Sequence, residues 1–306
     1  MKGETTPADP GAAATGAMPR LSPVAAMVRR HDPDRYKTAL FARSDRREAL
    51  FTLYAFNYEV ARVRESVTTP MLGQIRLQWW REVVDMAYAE APPRTHLVAA
   101  PLTAAIRDFG LTRERFDRLI DAREADLADE PPATQAVLEA YAEATSSNVI
   151  RLALEILGNR PDVDRRLPAG DAAEAAAFHV GIAYALAGLL RAMPFHARSG
   201  RCYIAAEIAA ASGLDPVDYA EQRASPAVRQ AAAAIGAAAA GHLQAARRYR
   251  TGIPRALLPA LLPAIVAERA LARLRKAGWN PFDPRVGTPE PLLTWRLAGA
   301  LLRRSF

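Results

Sequence analysis

The sequence predicts an all-α fold. Half of its 306 residues are hydrophobic, alanine is abundant, and the alternation of apolar and polar residues typical of strands is hard to find. Most segments instead repeat apolar residues at spacings of three and four, which is the period of an amphipathic helix. No apolar run reaches the length of a membrane span, so we expect a globular protein with a sizeable core.

The apolar period, together with breaks at Pro and Gly, places the helices along the chain. Residues 1–20 are rich in Gly, Pro, Ala and Thr, and we expect them to form a disordered tail. The segments that predict helices are 35–42, 45–67, 71–90, 101–109, 112–128, 134–157, 171–193, 204–211, 216–219, 226–250, 254–277 and 292–304.

The charge balance favours anionic partners. The formal net charge is +7, and the excess is arginine rather than lysine, which suits diphosphates and acidic lipid surfaces. No compact basic run interleaved with aromatic residues is present, so we expect no nucleic acid as a partner. Cys202 is the only cysteine, which excludes internal disulfides and agrees with a reducing, cytoplasmic location.

Leu50 to Ser66, with the sequence LFTLYAFNYEVARVRES, is the most informative stretch. It predicts one continuous helix, because it contains neither Gly nor Pro and carries an apolar stripe. Its last two turns then place Ala61, Arg62 and Glu65 where that stripe should end. The charged end calls for an explanation beyond packing.

The segment LYAFNYEVARVRES resembles the first aspartate-rich helix of the squalene/phytoene synthase family, with the pattern YAFCREVDDVVDE. The later segment GIAYALAGLLRAMPFHARSGRCYI resembles the second, with the pattern GxAxQLTNILRDVGEDxxxGRxYLP. The resemblance implies a single isoprenoid-synthase-like helical domain over residues 21–306, with a central cavity. It also implies chemistry in which carboxylates on two facing helices hold Mg²⁺ against a departing diphosphate.

This sequence departs from the family at the metal-binding positions. The family's aspartates and asparagine fall at Ala61, Arg62, Glu65, Gly188, Ala192 and His196. One surviving carboxylate cannot assemble a metal cluster, and an arginine would repel a cation. We therefore predict no metal, no other cofactor and no catalytic residue.

Basic and phenolic residues of the motifs remain. The predicted ligand-binding residues are Arg47, Tyr54, Arg62, Arg191, Arg201 and Tyr203. One interpretation is that Arg62, Arg191 and Arg201 bind a diphosphate or lipid head group without metal and without turnover. The other is that these arginines pair with acidic side chains of the protein itself.

Several spacings resemble one branch of the family, typified by the sixth assembly factor of mitochondrial complex I (NADH:ubiquinone oxidoreductase). They include AFN-x-E-x-A-x-V-x-x-S at 55–66 and LR-A-x-P-x-H at 190–196. The resemblance implies a pseudoenzyme that supports complex I assembly, with a complex I subunit or assembly intermediate as partner, or an anionic isoprenoid or lipid. The Arg- and Ala-rich composition suggests a bacterial source.

Two further questions stay open at this point. The C-terminal segment LLTWRLAGALLRRSF is compatible with peripheral contact at the inner face of the inner membrane, or with a last helix packed on the core. The alternative function is an active Mg²⁺-dependent prenyl-diphosphate transferase, which would need metal ligation by Glu65, Glu59 or Asp85. A third hypothesis is a protein that only carries a ligand.

Overall fold

The structure, a computed structural model, describes residues 21–159 and 170–306. Helices joined by turns make up these residues, and no strand occurs among them, which confirms the all-α prediction. The tail predicted for residues 1–20 lies outside the described residues.

Sixteen α-helices occur in the described part of the chain. They are α1 (Pro23–His31), α2 (Pro33–Ala39), α3 (Ser44–Ala61), α4 (Pro70–Tyr88), α5 (Ala99–Phe109), α6 (Arg113–Ala122), α7 (Gln135–Ala142), α8 (Asn148–Gly158), α9 (Asp171–Arg198), α10 (Ala206–Ser212), α11 (Pro216–Ala220), α12 (Pro226–Arg247), α13 (Leu258–Leu261), α14 (Pro263–Lys276), α15 (Pro284–Gly287) and α16 (Leu293–Leu302).

Side-chain caps explain where several helices begin. Ser22 accepts a hydrogen bond from the backbone N–H of Ala25 at the start of α1, and Ser225 does the same for Val228 at the start of α12. In both helices a proline follows the cap directly. Proline is favoured there because its missing N–H would have no partner in the first turn.

The longest helix, α9, runs through the core and packs against α8, α12 and α14. It continues to Arg198, although Pro194 predicted an earlier end. By length and composition α9 is apolar enough to cross a membrane, contrary to our expectation, but 56% of its most apolar window is buried inside the molecule. Its alanine-rich face is therefore used in packing against neighbouring helices.

The helix predicted to be continuous from Leu50 to Ser66 ends at Ala61, so that prediction is wrong in its last turn. A short 3₁₀ turn follows at Arg64–Ser66. The Ser66 hydroxyl donates to the carbonyl of Val63 at 2.8 Å, a local bond that competes with helical pairing. The motif positions are thus divided between a helix end and a 3₁₀ turn.

The long helix predicted over 134–157 widens at Glu143–Ser147 into a π turn between α7 and α8. The Ser147 hydroxyl donates to the carbonyl of Phe178 on α9 at 2.7 Å. The two backbones come so close that a Cβ on Gly181 would lie 2.3 Å from the Cα of Ser147. Only glycine allows this approach, and the π turn is held against α9 as a result.

Candidate functional site

A central cavity of about 200 Å³ lies between α3, α9 and the π turn. Two of the motif positions, Gly188 and Ala192, form part of its wall. A Cβ on Gly188 would meet no heavy atom within 4 Å, so this wall is open. The lining residues are Arg35, Asn57, Arg123, Tyr141, Thr145, Ser146, Tyr184, Ala185, Gly188, Leu189 and Ala192.

Four side chains of the cavity carry buried polar atoms without a hydrogen-bond partner among the described residues. They are Nε of Arg35, Nε of Arg123, Oδ1 of Asn57 and Oγ of Ser146. Arg35 and Asn57 are each 7% exposed, and Ser146 is 4% exposed. Buried polar atoms are nearly always paired with protein, water or ligand. These three donors and one acceptor belong to residues that line one cavity, which makes the cavity a candidate site for water or a polar ligand.

The guanidinium of Arg35 is held from two sides. Nη1 of Arg35 donates to Asp32 Oδ2 at 2.9 Å, and the guanidinium carbon, Cζ, lies 4.6 Å from the ring centre of Tyr184. Tyr54 is a more distant neighbour, with its ring centre at 5.8 Å. Burial raises the pKa of the Tyr54 phenol to about 12, so Tyr54 keeps its proton at neutral pH.

Beside the cavity lies a hydrogen-bonded network around one carboxylate, which we call the Asp126 cluster: Arg123, Asp126, Tyr141, Arg201 and Tyr203. The hydroxyls of Tyr141 and Tyr203 donate to Asp126 Oδ1 at 2.8 and 2.7 Å. Arg123 Nη1 donates to Asp126 Oδ2 at 3.1 Å, and Arg201 Nη2 donates to the Asp126 carbonyl at 2.8 Å. Asp126 is 4% exposed, and its carboxylate is fully engaged.

His196 and Glu65 occupy two more of the motif positions and lie near this cluster. The His196 ring is 4.7 Å from that of Tyr203, and its Nδ1 is buried without a partner. Burial, with a contribution from Arg201, lowers the pKa of His196 to about 4, so the ring is neutral at physiological pH. Burial raises the pKa of the Glu65 carboxyl, while the nearby charge of Arg201 lowers it.

Every arginine predicted to bind an anion has a partner within the protein. Arg191 Nη1 donates to Asp34 Oδ2 at 2.7 Å, Arg47 Nε donates to the carbonyl of Ala42 at 2.9 Å, and Arg201 belongs to the Asp126 cluster. Arg62 lies 3.7 Å from Glu59, with its side chain 43% exposed.

None of the four predicted arginines, at positions 47, 62, 191 and 201, lines the central cavity. Tyr54 and Tyr203 do not line it either. Tyr54 is a neighbour of Arg35, which lines the cavity, and Tyr203 donates to Asp126, the partner of Arg123.

Sequence reasoning missed the polar residues of the cavity. Arg35 follows Asp32 by three residues, and Arg123 precedes Asp126 by three, a spacing that pairs side chains along a helix. That spacing could have indicated the two ion pairs in the sequence. It does not indicate that one nitrogen of each arginine has no partner. Asn57 belongs to the motif at 55–66 and Ser146 lies in the predicted helix over 134–157, but neither was predicted to line a site.

The donor set does not fit a family-type Mg²⁺ cluster. In residues 21–159 and 170–306, no group of three or more His, Cys, Asp or Glu side chains is arranged to hold a metal ion. Asp126, which lies near Glu65, is already bonded to two phenols and a guanidinium. A hard divalent cation requires several free oxygen ligands, which these residues do not supply.

The sequence matches the squalene/phytoene synthase family over residues 28–296. The chain belongs to this family. Structures of family members share the fold: a squalene synthase, HpnC, from Alicyclobacillus acidocaldarius is 24% identical, with a TM-score of 0.71 over 84% of this chain and 94% of that one. A dehydrosqualene synthase in complex with a ligand has a TM-score of 0.77 at 17% identity, over 92% of this chain and 94% of that one.

The chain is also similar to proteins of two kinds. Complex I assembly factor 6 from Bos taurus is 31% identical over 267 residues, 87% of this chain and 77% of that protein, and the Homo sapiens protein is 30% identical over the same shares. A presqualene diphosphate synthase from Rhodopseudomonas palustris is 31% identical over 215 residues, 70% of this chain and 73% of that one. The assembly-factor relatives are eukaryotic, so they give no support to the expected bacterial source.

Proposed function

We propose that this protein is a non-catalytic member of the squalene/phytoene synthase family that supports the assembly of respiratory complex I. The observation that carries the proposal is its similarity to complex I assembly factor 6 over 87% of the chain, at up to 31% identity. Ala61, Arg62, Gly188 and Ala192 stand at the metal-binding positions, and the part of the chain that the structure describes holds no His, Cys, Asp or Glu group arranged for Mg²⁺, which supports a role without turnover.

The proposed partner is a complex I subunit or an assembly intermediate, met at the inner face of the membrane that carries the complex. A single half-buried cysteine, Cys202, is compatible with the reducing side of that membrane, whether bacterial cytoplasm or mitochondrial matrix.

Deleting the gene tests this role. Assembled complex I and NADH oxidation by membranes should both fall, whereas succinate oxidation, which bypasses complex I, should not. Re-expression of the protein should restore both. Normal levels of assembled complex I in the deletion strain would refute the proposal.

The central cavity supports a finer proposal, that the protein binds the anionic head group of an isoprenoid or lipid without metal. The unpartnered nitrogens of Arg35 and Arg123 supply cationic donors, and the Ser146 hydroxyl supplies a neutral one. Ligand sites usually measure about 300–1,000 Å³, so a cavity of about 200 Å³ suits a head group whose chain extends outside.

The residues predicted from the motifs are proposed to act around this head group. Tyr54 lies against Arg35, while Tyr203 and Arg201 hold Asp126, the partner of Arg123. We propose that Arg47, Arg62 and Arg191 contact parts of the ligand outside the cavity.

Binding of farnesyl diphosphate in the presence of EDTA, measured by calorimetry, tests metal-free recognition. A short-chain phosphatidic acid is tested as a lipid ligand, and inorganic diphosphate is tested as a head group without a chain. Ser146→Ala should weaken binding about fivefold, the equivalent of one hydrogen bond of about 1 kcal/mol. Ser199→Ala, on the exposed end of α9, is the matched control and should bind normally. Binding that requires Mg²⁺, or no binding to any probe, would contradict the proposal.

The second candidate function is a Mg²⁺-dependent prenyl-diphosphate transferase. The identity of 31% with a presqualene diphosphate synthase favours it. Incubation with farnesyl diphosphate and Mg²⁺ distinguishes the two candidates. A head-to-head product that disappears in Glu65→Gln would overturn the non-catalytic proposal.

A further inference from the structure

The helix α16 presents two apolar faces. One face packs in the core: Leu293, Leu297 and Ala300 are at most 1% exposed and contact Leu262 and Val266. The other face is open, with Leu292 54% exposed, Trp295 77% exposed and Leu302 76% exposed. Packing on the core is therefore satisfied by one side of the helix alone, and the open side calls for a separate explanation.

The open residues lie along one line. Leu292 and Trp295 are three residues apart, and Trp295 and Leu302 are seven apart, so they share a stripe along the helix. Gly299 lies between Trp295 and Leu302, and the guanidinium nitrogens of Arg303 lie 3.4 Å from where its Cβ would be. We call this stripe with its flanking arginines the α16 surface.

Arginines flank the stripe. Arg296 and Arg303, seven residues apart, follow Trp295 and Leu302 directly, and Arg304 lies beyond them. Residues 291–306 contain no Asp or Glu. The acid just before them, Glu290, is 11% exposed in its side chain and lies 3.4 Å from Arg269 and 3.5 Å from Arg296. Arg296 is therefore paired within the protein, whereas Arg303 and Arg304 have no ion-pair partner among the described residues.

We infer that the α16 surface docks on a bilayer containing anionic phospholipids. Trp is favoured at the boundary between head groups and acyl chains, and arginines beside it can reach the phosphates while their stems lie along the apolar stripe. The absence of any acid in residues 291–306 makes the surface complementary to a negatively charged plane. A helix of ten residues lies in such an interface and is too short to span it.

This surface makes no use of the central cavity, and it rests only on the proposed location at the inner membrane. Tyr184 is a point of contact between the two regions, since it lines the cavity and also packs against the buried cluster under α16. Failure of vesicle binding would remove the docking surface and leave complex I assembly to be judged by the gene deletion.

Sedimentation of the full-length protein with vesicles tests the inference. Vesicles of phosphatidylcholine with phosphatidylglycerol should bind the protein, and pure phosphatidylcholine should bind it far more weakly. The double variant Trp295→Ser/Leu302→Ser should lose at least about tenfold in binding. Arg303→Glu should lose about fivefold or more and only on the anionic vesicles, since each basic residue near such a surface contributes about 1 kcal/mol.

The matched control removes apolar surface elsewhere. Met71 and Ile75 on α4 are 64% and 59% exposed, and Met71→Ser/Ile75→Ser should bind vesicles as the unaltered protein does. Unchanged circular dichroism and thermal unfolding would show that both double variants fold. Absence of binding by the unaltered protein, equal losses in both double variants, or a dimer that Trp295→Ser dissociates would each overturn the inference.

Discussion

The Asp126 cluster and the central cavity are neighbours that share Arg123 and Tyr141, yet their polar atoms differ in how they are paired. In the cluster two phenols and the guanidinium of Arg123 donate to one carboxylate, and the guanidinium of Arg201 donates to the backbone carbonyl of the same residue. In the cavity four buried polar atoms have no partner in the described chain. A saturated network stabilises the fold, whereas unpaired buried groups cost free energy that a bound molecule can recover. The difference separates the part that holds the protein together from the part that can recognise a ligand.

Removing the Asp126 carboxylate should have the largest effect on stability. Asp126→Ala leaves the charges of Arg123 and Arg201 buried without their partner, and we expect the free energy of unfolding to fall by about 3–5 kcal/mol in urea titrations. Asp129→Ala, whose side chain is 78% exposed opposite Arg64, should cost at most about 1 kcal/mol. Equal losses in the two variants would mean that the cluster does not stabilise the fold.

His196, at the edge of the cluster, should make stability depend on pH. Its pKa is about 4 when folded and 6.5 when unfolded. As the pH falls from 6.5 to 4, the unfolded chain takes up a proton that the folded protein does not, so the free energy of unfolding falls, by on the order of 3 kcal/mol. Above pH 6.5 this contribution is constant.

The variant His196→Gln isolates that contribution, because acids elsewhere titrate equally in both proteins. Urea unfolding at pH 7 and pH 4.5 should show a smaller loss in the variant than in the unaltered protein. Parallel losses would show that His196 is accessible to protons in the folded state.

Replacing two glycines of α9 by alanine should change stability in opposite directions, because Gly181 lies against the π turn and Gly188 lines the cavity. Gly181→Ala forces a methyl group against the Ser147 backbone, and we expect it to lose about 1–3 kcal/mol. Gly188→Ala enters open space and should gain up to about 1 kcal/mol from its higher helix propensity. Thermal unfolding of both variants measures the contrast, which a loss in Gly188→Ala would contradict.

The smallest difference in stability should be between alanine substitutions at the two adjacent serines of the π turn. Ser147→Ala removes a hydrogen bond to the Phe178 carbonyl and should cost about 1 kcal/mol. Ser146→Ala removes a hydroxyl that has no partner, so stability should stay constant or rise slightly. Chemical denaturation resolves the two outcomes, and a cost for Ser146→Ala equal to that of Ser147→Ala would show that its hydroxyl is paired.

Much of the fold could be predicted because helical period and caps are local. The helix predicted at 226–250 is α12, Pro226–Arg247, despite its low-complexity composition. The errors lie where tertiary and local side-chain bonds are made. The Ser66 hydroxyl donates to the Val63 carbonyl in the turn after α3, and Glu143 in the π turn is paired with Arg118 and Arg151. Neither kind of bond is visible in a periodic pattern.

The candidate site was only partly predictable. The sequence located Gly188 and Ala192, which line the cavity, but it did not show which arginines would be neutralised. Arg191 meets Asp34 across 157 residues, and Arg201 meets Asp126 across 75 residues. Such partners follow from the assembled fold, so the free nitrogens of Arg35 and Arg123 could be recognised only there.

The open wall beside Gly188 is a place where the protein can take a new side chain. A Cβ there would meet no heavy atom within 4 Å, so a side chain can enter the cavity without moving the backbone of α9. Placing an acidic or amide side chain at this position is therefore a design problem of one codon, and the scaffold offers a starting point for building new ligand sites.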